Sequence, residues 1–240
     1  QGGAATLTAP RYALYLAPPA DSALWRFGSC VLGYDAQTGT EPACPDLPGF
    51  DAEAWHAATA EPRRYGFHGT LKAPFRLAEG KTEQDLVDAV AACAAGHHPF
   101  EMPPLEVRAI GPFVALVPAV AAAKLEHLAA SCVLELEEVR AQLSSADIAR
   151  RKPDRLSARQ TGYLETYGYP YVLDEFRFHM TLTGPLAEGE RSHAMNALAD
   201  AYRASGADVP VSVGDIALFV QDTPGARFRI LKRLPFGGER

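Results

Sequence analysis

RRYGFHGTLKAPFRL, from Arg63 to Leu77, is the stretch that decides how this chain is read. Its residues alternate between apolar and polar types and are rich in aromatics, the pattern of a β-strand, with an interruption expected near Pro74. A second stretch, EFRFHMTLTG from Glu175 to Gly184, has the same character. Within them Phe67-His68-Gly69-Thr70-Leu71 matches Phe178-His179-Met180-Thr181-Leu182 at four of five positions. One His-x-Thr triplet means little. Two copies, each preceded by Phe, followed by Leu and carried on an expected strand, point to one shared site.

Strand geometry gives the repeated motif a physical sense. Side chains at i and i+2 share a face, so His68 lies with Thr70 and His179 with Thr181, while Phe67, Gly69, Leu71 and their counterparts turn to the other side. Each strand thus has an apolar back and a front offering imidazole and hydroxyl. The same alternation extends the first polar face to Lys72 and the second to Arg177 and Thr183. Two such faces lining one cleft suit phosphodiester chemistry. Histidine titrates near neutrality, so one ring can take a proton from water while the other gives one to the leaving oxygen. Threonine hydroxyls can hold the non-bridging phosphate oxygens, and Lys72 or Arg177 could offset charge that grows in the transition state. Tyr65, Tyr169 and Tyr171 are candidates for substrate contact.

Around the motifs the expected order mixes strands and helices. Strands are read at Arg11–Ala17, at Leu105–Ile110 and Phe113–Val117 as a hairpin, and at Val209–Val220 and Ala226–Leu234 as a closing pair. Helices are read at Ser22–Leu32, Thr82–Ala95 with Thr82 as N-cap, Ala119–Leu143 and Glu190–Ala204. Asp35–Phe50 reads as a loop, and the basic run Arg150–Arg159 as a helical connector whose charges are either solvated or reach a phosphate on the substrate. Strand, helix and strand pair follow each motif in turn, which suggests a single α+β domain of two related lobes over residues 8–236.

Composition narrows the function classes. The 240 residues carry a net charge of −6, with 48% hydrophobic and 22% charged residues. No basic stripe is visible, so long nucleic acid is not expected as a partner. No apolar run approaches a membrane span, and no basic, apolar leader opens the sequence. Four cysteines, none in a C-x-x-C pair, suit a reducing compartment; a cytoplasmic protein is expected. His68 and His179 have no third partner at metal-ligand spacing, so neither metal nor cofactor is expected. The serine-hydrolase G-x-S-x-G and the phosphate-binding G-x-x-x-x-G-K-[ST] are both missing.

The paired H-x-T-L motifs resemble those of the two-histidine phosphoesterase superfamily. The longer blocks at Arg63–Leu77, Gly168–Val172 and Glu175–Leu186 are similar to a branch of uncharacterised proteins encoded with bacterial phosphonate-degradation genes. The resemblance runs from about Arg11 to Phe236. It implies a bilobal α+β fold, with two antiparallel sheets facing across a central cleft and helices outside. It implies His68 and His179 as the catalytic pair, with Thr70 and Thr181 as phosphate contacts; the analogy makes His179 the base and His68 the acid, and the near-symmetry of the motifs leaves the two roles open to exchange. The implied activity is metal-independent hydrolysis of a small cyclic phosphate, with phosphonate catabolism as its implied setting; Tyr65, Lys72 and Arg177 are the further substrate contacts that the residues themselves suggest. An RNA 2′,3′-cyclic phosphodiesterase or RNA-ligase-like enzyme and a non-catalytic phosphoryl-binding module are the alternatives. Gly69 stands where the branch more usually has alanine. Because it faces away from the polar side, no effect on activity is expected.

Overall fold

In a computed structural model, which describes residues 9–238, the chain forms an α+β fold around one large antiparallel sheet. Residue 8, the expected start of the domain, lies outside the described residues. In chain order the elements are β1 (Arg11–Leu16), α1 (Ala23–Leu32), α2 (Ala52–Ala58), α3 (Ala60–Arg63), β2 (Gly69–Phe75), α4 (Glu83–Ala95), β3 (Phe100–Met102), β4 (Leu105–Ile110), β5 (Phe113–Pro118), α5 (Ala123–Leu134), α6 (Ser145–Arg150), α7 (Ala158–Tyr167), β6 (Met180–Thr181), α8 (Glu188–Ala204), β7 (Val211–Val213), β8 (Asp215–Gln221) and β9 (Arg229–Pro235). Seven strands pair in the order β4-β5-β6-β2-β1-β8-β9, and β3 pairs with β7 separately.

The two sheets expected to face one another are joined edge to edge. β4-β5-β6 and β2-β1-β8-β9 meet at the single pair Gly69 and Met180. The motif strands are therefore neighbours at the middle of the sheet. Each motif strand is followed by a helix and a hairpin that crosses to the other half: β4-β5 beside β6, and β8-β9 beside β1. α4 packs on β8 and β9, and α8 packs on β4 and β5. The strands nearest the centre are apolar on their packed side, with Leu14, Leu16, Leu116, Met180 and Leu218 almost fully buried.

Several elements depart from the expected pattern for local reasons. The second motif strand is short. A 3-10 turn at Leu173–Glu175, with Leu173 at φ 53°, brings the chain in, and only Met180–Thr181 joins the ladder. The long helix ends at Leu134, and a 3-10 turn at Glu137–Val139 follows. That break places the Glu137 carboxylate between Lys72 and Arg140. Arg63 ends a short helix instead of opening a strand. Its buried guanidinium donates to Leu32 O at 3.1 Å and to Thr59 Oγ1 at 2.9 Å, which anchors the turn into the first motif. Helix α2, capped by Asp51, was not visible as a pattern. The basic run Arg150–Arg159 is broken at Lys152, whose φ is 50°.

Candidate active site

The pairing of Gly69 with Met180 fixes what stands in front of the sheet. Counting one residue each way along antiparallel strands sets His68 opposite Thr181 and Thr70 opposite His179. All four lie on the face away from Gly69 and Met180. The two histidines occupy one diagonal of this quadrilateral, about 7–8 Å apart at the backbone. On the other side of β2, Tyr15 pairs with Thr70, and its ring stacks on His68 with centroids 3.7 Å apart.

Both imidazoles are oriented by the same device. Nδ1 of His68 lies 2.9 Å from the Gly66 carbonyl, and Nδ1 of His179 lies 2.9 Å from the Arg177 carbonyl. A carbonyl oxygen can only accept, so Nδ1 carries the proton and Nε2 is left as the free nitrogen of each ring. Gly66 makes the first bond possible, because its φ of 75° belongs to the left-handed region. Thr70 Oγ1 stands 3.3 Å from Nε2 of His68. Burial pushes the pKa of His68 down to about 4; the Gly66 carbonyl opposes this, and His179 adds to it. Burial likewise raises the phenol of Tyr15 well above its usual range.

In front of these groups lies a cavity of about 720 Å³, a size suited to a small molecule. Tyr15, Tyr65, His68, Thr70, Thr181 and Thr183 line its floor. His179 borders the cavity instead of lining it, half-buried with its ring 5.8 Å from the lining ring of Phe113. Tyr169 and Tyr171 form an outer wall, edge to face at 5.6 Å. Tyr65 stacks on Phe228 at 5.3 Å and reaches towards His68.

Two expected contacts are corrected. Lys72 does not face the cleft. Tyr15 pairs with Thr70 but Leu14 pairs with Lys72, so Leu71 is an extra residue in a β-bulge. The bulge cancels the alternation and sends Lys72 to the back of the sheet. There its Nζ donates to Glu137 Oε1 at 2.6 Å and to Val133 O at 3.1 Å. Arg177 is exposed, is not among the cavity residues, and bonds back to the carbonyls of Asp174 and Phe176. It precedes the two-residue strand, where ladder alternation does not yet hold. Thr183 lines the floor, although its hydroxyl is occupied by Val114 N and Gly184 O. Gly69 is more constrained than its facing suggests. A Cβ there would come within 2.1 Å of the Phe178 ring, so its hydrogen lets the two motif strands approach.

The cavity also holds residues that no motif flagged: Arg11, Tyr15, Glu61 and Phe113. It holds Arg151 as well, the arginine of the basic run that lines it. Of its companions, Arg150 pairs with Asp147 and Arg159 with Asp174 at the surface. Among the described residues there is no group of three or more His, Cys, Asp or Glu side chains placed to hold a metal ion. No helix among them is long and apolar enough to cross a membrane.

A two-motif site at the centre of an antiparallel α+β sheet is the class this geometry defines. The chain belongs to the family described as "Protein of unknown function (DUF1045)", whose model matches residues 70–229. It is 34% identical over 232 residues to a protein of Janthinobacterium sp. (strain Marseille) named ribose 1,5-bisphosphate phosphokinase PhnN, covering 95% of this chain and 51% of that protein. A protein of the same name from Laribacter hongkongensis (strain HLHK9) is 35% identical over 228 residues, covering 92% and 51%. The chain thus spans about half the length of the curated relatives it matches. Among solved structures, one titled "Crystal structure of E.coli LigT complexed with 3'-AMP" aligns over 94% of this chain and 97% of its own, with 15% identity and a TM-score of 0.44. Another, titled "Crystal structure of phosphoesterase", aligns over 95% and 98%, with 13% identity and a TM-score of 0.41.

Proposed function

We propose that the chain hydrolyses a small phosphodiester, a cyclic phosphate in the first instance, by general acid–base catalysis between His68 and His179. The observation that carries this reading is the matched pair of Nδ1–carbonyl bonds. They leave Nε2 of each ring without a backbone partner, that of His68 lining the cavity 3.3 Å from the Thr70 hydroxyl and that of His179 at its border. Thr70 and Thr181 hold the non-bridging oxygens. One imidazole removes a proton from water as its oxygen attacks phosphorus. The other protonates the leaving oxygen as its bond to phosphorus breaks, and the product is a phosphomonoester. The step as written uses no metal.

The resemblance assigned the base to His179, and the site favours the reverse. Burial holds His68 neutral at pH 7, the state a proton acceptor needs. An anionic substrate in the cavity offsets part of that burial penalty and brings the ring nearer its working range. His179 is then the acid. The name of the curated relatives, with its ribose 1,5-bisphosphate, supports a phosphorylated sugar as the substrate class. Their named kinase activity finds no G-x-x-x-x-G-K-[ST] loop in this sequence.

The test is a screen of cyclic phosphates followed by phosphorus NMR, with and without EDTA. On a substrate so identified, His68→Ala and His179→Ala should each lose about 100-fold or more in kcat and keep the native circular dichroism. Wild-type rates in both variants would refute the acid–base pair, and an EDTA-induced loss restored by zinc would replace it with a metal site. Tight binding seen by calorimetry without turnover would make this a phosphoryl-binding module instead.

A further inference from the structure

The cavity is cationic at a place the proposed chemistry does not use. Arg11 opens β1 on the same face as Tyr15, four residues along, which is about 13 Å of strand. Arg151 enters from the connector after α6. Both are half-buried and line the cavity. Each is fixed by a neutral acceptor: Arg11 Nε donates to Gln221 Oε1 at 2.8 Å, and Arg151 Nη1 to Gly168 O at 2.6 Å. Gln221 is itself buried and held by its own bond to Ala226 O at 2.7 Å. Among the described residues neither arginine is in an ion pair. A guanidinium has five N–H donors, so most of them remain free.

Two half-buried guanidiniums facing one cavity work against each other. Burial lowers the pKa of Arg151; Tyr169 and Asp147 oppose this, and Arg11 adds a smaller repulsion. Among the described cavity residues the only carboxylate is Glu61, which stands beside Gly184. Asp147, the acidic group near Arg151, is already taken by Ser144 and Arg150. An arginine fork held open in this way matches the oxygens of a phosphate.

We propose that Arg11 and Arg151 form a second anion subsite, and that the substrate carries a non-reacting phosphomonoester in addition to the diester that is hydrolysed. The reacting phosphate sits over His68 and Thr181, and the spacer between the two groups runs along Tyr65 and Tyr169. This deepens the phosphodiesterase reading and, for its kinetic test, rests on it.

The experiment compares methyl riboside 2,3-cyclic phosphate with and without a 5-phosphate, as kcat/KM in the wild type and in Arg11→Gln, Arg151→Gln and the double variant. The 5-phosphorylated compound should be preferred at least tenfold, mainly through KM. That preference should shrink by up to about tenfold per arginine, approach equality in the double variant, and be partly restored by Arg11→Lys. Because the ratio is internal to each variant, a general loss of folded protein does not alter it. Equal kcat/KM for the two compounds in the wild type, or a preference that survives the double variant, would overturn the proposal. Calorimetry with ribose 5-phosphate separates the two readings. If neither cyclic compound is turned over but ribose 5-phosphate binds and is weakened tenfold or more by the double substitution, hydrolysis fails and the subsite stands. If ribose 5-phosphate does not bind, or binds equally well without the arginines, the subsite fails.

Discussion

Replacing Lys72 with methionine separates the two readings of that residue most sharply. The side-chain alternation places Lys72 at the phosphate, where its loss would cost about 10²–10³ in kcat. The structure places it behind the sheet, 4% exposed, bonded to Glu137 and to the Val133 carbonyl. Methionine keeps most of the volume. It leaves the Val133 carbonyl in the last turn of α5 without this donor, a loss of about 1–3 kcal/mol. Glu137 keeps Arg140, through contacts at 2.8 and 3.0 Å, so no charge is stranded. Glu137→Ala is the harsher change, because Lys72 and Arg140 are each 4% exposed and lose their common counter-charge. Removing one partner from a buried pair costs about 3–5 kcal/mol. Urea unfolding followed by the fluorescence of Trp25 and Trp55 should therefore rank wild type above Lys72→Met and Lys72→Met above Glu137→Ala. At low urea, kcat of Lys72→Met should stay within about twofold of wild type. A 100-fold fall in kcat with an unmoved urea midpoint would return Lys72 to the active site and refute the bulge argument.

Three further outcomes follow from the same site. A base must be deprotonated to act, and the His68 pKa is lowered to about 4, so the acid limb of kcat/KM should fall near pH 4 instead of near the usual 6.5; a limb at 6.5 would put the proton acceptor elsewhere. The same shift predicts that stability is lost as pH falls from 6.5 towards 4, where the unfolded chain takes up a proton that the folded one refuses, and urea midpoints across that range would show it. Gly69→Ala drives a methyl into the Phe178 ring, with the built Cβ at 2.1 Å; it should cost about 1–3 kcal/mol and lower kcat by displacing His179. Adding Phe178→Leu should restore part of both, and a fully active, fully stable single variant would show that the ring moves aside freely.

Much of the centre of the molecule was legible in the sequence, because a two-residue period is a property of the extended backbone alone. His68 with Thr70, and His179 with Thr181, could be assigned to shared faces on that period. The strand, the α4 cap at Thr82 and the apolar backs of the motifs followed from the same local rules. The rule failed where the backbone broke its period. One extra residue at Leu71 reversed Lys72, and a strand that begins only at Met180 left Arg177 outside the alternation.

What the sequence by itself determined is the pair of His-x-Thr faces and the strands that carry them. Only the tertiary structure set His68 opposite Thr181, and it did so through Gly69, whose missing side chain lets β2 and β6 lie edge to edge in front of Phe178. It alone brought Arg11 and Arg151 to one cavity from segments far apart in the chain. No periodicity links such residues, because their proximity depends on how distant strands and connectors pack, and packing is not written in local spacing.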